Sequence, residues 1–166
     1  ILSERRHRRG SIDFDLPEAE LVLDEEGLVA DITQAQRNVA HRIIEEFMLL
    51  ANETVARHLE QSGVPSLYRI HERPDLLKVA EFEAFVSSLG YSLSVEPGLV
   101  RPHDFQRLIE RIAGLPVERP IAFLMLRTMS QARYSPDNVG HFGLAAPTYT
   151  HFTSPIRRYP DLVVHR

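Results

Sequence analysis

The sequence contains no cysteine, which excludes a disulfide framework and any thiolate metal site and fits a reducing compartment. No stretch approaches the ~20 consecutive apolar residues of a membrane span, and the basic start ILSERRHRRG is not followed by the apolar block of a signal peptide. A cytoplasmic protein without membrane association is therefore expected. Lysine is almost missing: of 19 cationic side chains 18 are arginine, and Lys78 is the one lysine. Arginine's planar fork suits bidentate phosphate contacts, although a genome rich in G and C gives the same bias and is the plainer reading. Neither a Walker loop nor a Gly-x-Gly-x-x-Gly stretch occurs, so nucleotide binding of those types has no support. His41 and Glu45 are spaced i, i+4 but lack an HExxH frame or a third ligand, and read as a helix-surface pair. Ser154 lacks the glycines of a nucleophile elbow, and Pro155 directly after it removes the backbone N–H such sites use for the oxyanion.

What remains is a globular composition. With 166 residues, 43% of them apolar and 25% charged, the chain can form one domain around one substantial core. Its net charge of −4 hides an uneven distribution, because residues 1–100 carry 10 basic and 18 acidic side chains whereas residues 101–166 carry 9 and 5. The second part is net positive, as a surface that meets a polyanion would be.

Periodicity predicts an α+β fold with short N-terminal strands and a hairpin, followed by a mainly helical portion. GSIDFDLPEAELVLDEEGLVADI alternates apolar and polar residues and breaks at Asp24–Gly27. From Gln34 to about Gln61, Val39, Ile43, Ile44, Phe47, Leu50, Ala51, Val55 and Leu59 recur at helical spacing, and Ser62-Gly63 gives a stop. LYRIH reads as a short strand, and Pro74-Asp75 opens a helix that Gly90 closes. RPHDFQRLIERIAG is a helix with Pro at its start and Gly at its end, and PIAFLMLRTMSQARY is apolar enough for a buried helix.

The densest chemistry lies in HFGLAAPTYTHFTSPIRRYPDLVVHR, residues 141–166. Arg157 and Arg158 could clamp a phosphate, Thr153 and Ser154 could donate hydroxyl hydrogen bonds, and Pro155 would hold the turn presenting them. Phe142, Tyr149, Phe152 and Tyr159 could stack on bases. Each element also has a plainer reading: aromatics build cores, paired arginines are solvated, and Asp161, four residues after Arg157, makes a helix salt bridge.

HFGL, four residues, then YTHFTSPIRRYPDLVVH resembles the signature of the RNB family, the catalytic domain of ribonuclease II and ribonuclease R. RRGSIDF, QRNVAHRIIEEFMLLANETVARHL, LYRIHERPD and MLRTMSQARYSPDNVGHFGL resemble family segments in the family's order, so the likeness covers nearly the whole chain. YRIHERP and RRYPDL lean towards the ribonuclease R branch. The resemblance implies a processive, hydrolytic 3′-to-5′ exoribonuclease, dependent on magnesium, that releases nucleoside 5′-monophosphates from the 3′ end of single-stranded RNA. It also implies a monomeric parent. Carried onto this chain, Arg157 matches the arginine at the scissile phosphate, Phe14 a phenylalanine stacked on the 3′-terminal base, and Glu46 a glutamate at the ribose of the last nucleotides, with Glu45 as the alternative. Arg158, Thr153, Ser154 and Tyr159 fall in the same RNA-contacting signature. Phe14 and Glu46 stand 32 positions apart, as in the family.

The departure from the family is as informative. Its metal-binding aspartates lie in a motif upstream of the phenylalanine segment, and DFD and LDEEG lack that pattern; cold-shock and S1 modules are missing too. Residues 1–166 are thus expected to be the C-terminal half of an RNB catalytic domain, a fragment inactive alone, with the magnesium ligands outside this chain. Two other classes stay open: a non-catalytic RNA-binding or regulatory piece, and a helical protein-interaction domain.

Overall fold

Several helices begin where the sequence supplies a start signal. In the computed structural model, which describes residues 1–13, 19–34, 38–93 and 98–166, the order is α1 (Leu2–Arg9), β1 (Ala19–Leu23), β2 (Val29–Gln34), α2 (Val39–Gln61), β3 (Tyr68–Ile70), α3 (Leu76–Ser88), α4 (Pro102–Ile112), α5 (Glu118–Thr128), β4 (Arg133–Ser135) and α6 (Tyr159–His165). Asn38 caps α2 by accepting from the His41 N–H, while the Asn38 N–H meets the His41 ring. His41 is thereby a capping residue. Asp75 accepts from the N–H groups of Leu77 and Lys78 at the start of α3. In α4, Pro102 occupies the first turn and the Asp104 carboxylate reaches back to the Arg101 N–H.

The helices α3, α4 and α5 surround the main core. Phe105, Leu108, Ile112, Ile121 and Met125 are fully buried in it together with Val86 and Leu93. Phe142 enters this core from the C-terminal segment and meets Phe105 edge-on, with centroids 5.9 Å apart. α1 is seated on α4 by polar contacts, the Gln106 side-chain amide donating to the backbone oxygens of His7 and Ser11. Gly10 ends α1 in the left-handed region, where a Cβ would lie 2.9 Å from the His103 ring.

The hairpin forms as predicted, β1 and β2 pairing antiparallel around a turn in which Asp24 accepts from the Glu26 and Leu28 N–H groups. Its alternation predicts one covered face, but every residue of both strands is exposed among the described residues. The apolar stripe of α2 is likewise open: Ile43, Ile44 and Phe47 are 50, 68 and 59% exposed, whereas the buried positions are Leu49, Asn52, Glu53 and Ala56. α2 docks through a mixed polar face, and periodicity reports which residues share a side without reporting which side is covered.

One predicted element is shorter than expected. The apolar run from Pro120 is helical only to Thr128, Met129 turns extended, and Arg133–Ser135 pairs antiparallel with Tyr68–Ile70. The Ser130 hydroxyl donates to the Arg73 backbone oxygen, and the Arg69 guanidinium lies over the Tyr134 ring at 4.9 Å, fixing the new direction. None of the helices among the described residues is long and apolar enough to cross a membrane.

Candidate nucleic-acid interface

The segment 139–152 is pinned to β3 and α2 by its backbone and its histidines. His71 and Phe142 are joined by a Phe142 N–H bond to the His71 oxygen, and His71 donates its own N–H to the Gly140 oxygen. The His71 ring accepts from the Gly143 N–H at Nδ1, so close that a Cβ on Gly143 would lie 3.0 Å from that nitrogen. From α2, Asn52, which is fully buried, donates to the Tyr149 hydroxyl and accepts from the Phe152 N–H. Phe142 and Tyr149 are 7 and 4% exposed. Their proposed use as base-stacking surfaces is corrected: both are structural, because the segment that carries them is threaded through the fold. Phe152 is stacked on His165, centroids 4.0 Å apart, and Tyr159 stands open at 74% exposure.

Burial holds the histidines of this segment neutral. His141 is pushed down to about 3 by burial, with nearby His71 and Arg69 adding to the shift. His151, which faces Tyr134, is pushed down to about 4 by burial and then by Arg158. His71 is lowered for the same first reason. Below about pH 6.5 the unfolded chain takes up protons that the folded chain refuses, so stability falls with falling pH. The slope reaches about 1.4 kcal/mol per pH unit for a fully differing histidine. Urea-denaturation midpoints should therefore decline between pH 7 and pH 5, before carboxylates titrate. A flat profile across that interval would mean these rings are solvated.

The turn 153–161 separates the two adjacent arginines. Asp161, with no exposed surface, accepts two hydrogen bonds from the Arg158 guanidinium, at 2.9 and 2.8 Å, and one from the Ser154 N–H at 2.8 Å. Although burial alone would raise it, the Asp161 carboxyl is held below its ordinary pKa by Arg158 and Ser154. The Ser154 oxygen in turn accepts from the N–H groups of Arg157 and Arg158. Arg158 is thus engaged inside the turn. Arg157 is exposed, and no side chain among the described residues pairs with its guanidinium. Thr153 lies exposed at the mouth of the same turn.

A second arginine pair joins α1 to α2. Arg9 grips Glu53 with bonds of 2.7 and 2.6 Å and also donates to the Leu144 oxygen. One turn earlier Arg6 donates to Glu46, Ser11 and Asp13. Arg6, Asp13, Glu45 and Glu46 line an open cavity of about 740 Å³ with Arg42, Ile43 and Phe47. Glu46 and the alternative Glu45 both line this cavity; Phe14 lies outside the described residues. Sequence reasoning missed Arg6, Arg9 and Asn52, and it paired Asp161 with Arg157 where the structure pairs it with Arg158. The signal was present as basic residues at i, i+3 in α1 opposite acidic residues at i, i+7 in α2.

Among the described residues no group of three or more histidine or carboxylate side chains is placed to hold a metal ion. A two-metal centre does not fit the described residues.

Known proteins similar to this chain point to one family. The family model of the RNB domain matches residues 1–166. The ribonuclease R of Aquifex aeolicus is 56% identical over the whole chain, which covers 23% of that protein. The structure of Mycoplasma genitalium RNase R in complex with ribose methylated single-stranded RNA superposes with a TM-score of 0.94 at 34% identity, over 99% of this chain and 26% of that one. Yeast Ssd1, described as a pseudonuclease, is similar over 79% of this chain and 16% of its own, at 33% identity and a TM-score of 0.67. The chain thus spans about a quarter of the length of the ribonuclease R proteins it resembles. With the signature, the fold and a match from end to end in agreement, this chain belongs to the RNB domain family.

Proposed function

We propose that this chain is part of the RNA-hydrolysing domain of a longer, processive 3′-to-5′ exoribonuclease that converts single-stranded RNA to nucleoside 5′-monophosphates. The observation that carries the reading is the division of labour in TSPIRRYPD: Asp161 engages Arg158, while the exposed Arg157 guanidinium has no side-chain partner among the described residues. An unpaired guanidinium on a fixed turn is what a developing phosphate charge needs, since no reorganisation is required when that charge appears. Glu46, at the α1–α2 cavity, accepts from a ribose hydroxyl, which would let the site tell RNA from DNA. Phe14 stacks on the terminal base, and Thr153, Ser154 and Tyr159 flank the backbone. Arg158 contributes to RNA binding by shaping the turn. Magnesium belongs to this reading with ligands outside the described residues, as does a monomeric, cytoplasmic parent.

The test is an assay of the longer protein and of residues 1–166 alone on 3′-labelled single-stranded RNA with magnesium. The longer protein should release nucleoside monophosphates from the 3′ end, and the isolated chain should release none. Robust release by the isolated chain would sink the division between this phosphate-facing part and an external metal site. The likeness to the pseudonuclease Ssd1 favours one other reading, a non-catalytic RNA-binding protein. Salt-sensitive RNA binding without cleavage by the longer protein would decide for it.

A further inference from the structure

The Arg6 guanidinium has three acceptor residues among the described residues, Glu46 on α2 and Ser11 and Asp13 just after α1. Its side chain is only 11% exposed. Nε and Nη2 donate to Oε1 of Glu46 at 3.2 and 2.8 Å, and Nη1 donates to the Ser11 hydroxyl at 2.9 Å and to the Asp13 carboxylate. Burial opposes its charge, but Glu46 and Asp13 outweigh that cost and hold its pKa above the ordinary value. Both bonds to Glu46 fall on Oε1, so among the described residues Oε2 is left to the cavity that Arg6, Asp13 and Glu46 share. Asp13 directly precedes Phe14.

We propose that Arg6 is a positioning residue for recognition of the RNA 3′ end, setting the sugar contact through Glu46. This rests on the ribose role proposed for Glu46. The fork keeps Glu46 turned so that one oxygen is held and the other accepts from a ribose hydroxyl. A lysine would keep the charge but could not span three acceptors on two elements. Arg6 would touch no reacting atom. Its loss would act on affinity and sugar selectivity rather than on turnover at saturation.

The experiment compares Arg6→Gln, Arg6→Lys and Glu46→Gln in the longer protein, using RNA and an otherwise identical strand with 2′-deoxy sugars in its last nucleotides. For Arg6→Gln, KM on RNA should rise about tenfold, as loss of a charge-assisted hydrogen bond implies. Preference for ribose should shrink by a similar factor, while kcat stays within about threefold. Arg6→Lys should fall between, and it carries the test if Arg6→Gln does not fold. If Glu46→Gln loses sugar selectivity and the Arg6 variants keep it, Arg6 is a structural tie and the proposal is overturned. If none of the three variants changes selectivity, the ribose role of Glu46 fails first.

Discussion

Replacing Arg157 by alanine in the longer protein should slow RNA hydrolysis by about a hundredfold or more, the cost of removing one preorganised donor to a developing oxyanion. RNA affinity and folding stability should change little. The reason lies in the turn, where the Arg157 backbone is tied to the Ser154 oxygen while its side chain is exposed and unpaired among the described residues. Truncation therefore breaks no side-chain hydrogen bond or ion pair among the described residues. An interaction made only in the transition state lowers kcat and kcat/KM together. Single-turnover kinetics beside a binding isotherm separates the two effects. Near-wild-type turnover would mean that another cation meets the scissile phosphate.

Asp161→Ala should do the reverse, costing about 3–5 kcal/mol of stability, the usual result of removing one partner from a buried ion pair. The remaining Arg158 side chain is 20% exposed, and the Ser154 N–H loses its acceptor. Against a total stability of roughly 5–15 kcal/mol for a domain, that is enough to leave a substantial unfolded fraction. Denaturant midpoints measure it. A loss under about 1 kcal/mol would show that solvent already satisfies the pair. The double replacement Arg158→Met with Asp161→Leu should recover much of the loss, since no buried charge is then left alone. The sign with pH is also fixed: Asp161 has a depressed folded pKa, so its contribution is present above the ordinary carboxylate range and disappears as pH falls through the folded value.

Local signals in the chain made much of the architecture legible. Asp24–Gly27 marked the hairpin turn, Asp75 and Pro102 marked two helix starts, and Tyr68–Ile70 was read as extended. α1 was not, because its one apolar residue, Leu2, gives no periodicity and its position depends on Arg6 and Arg9 meeting carboxylates 40 and 44 residues away. β4 escaped notice since its three residues are extended only by virtue of pairing with β3. The signature marked Arg157 and Glu46 as candidates, but the different fates of Arg157 and Arg158 depend on where the Asp161 carboxylate ends up. Sequence spacing suggested Arg157 as its partner four residues earlier; the helix start at Tyr159 instead brings Arg158, three residues away, into its reach. Long-range polar pairing of this kind leaves little periodic trace.

α2 also constrains how related chains can vary in length. Glu46, Asn52 and Glu53 lie within two turns, the first facing the cavity and the others holding the 144–152 segment and α1. Each residue advances an α-helix by ~100°, so a single insertion or deletion between Glu46 and Asn52 would swing one set of contacts out of alignment with the other. No substitution nearby could restore both. Length changes in natural relatives should accordingly avoid this stretch and collect at places such as the open turn Asp24–Gly27, where an added residue alters neither set of contacts.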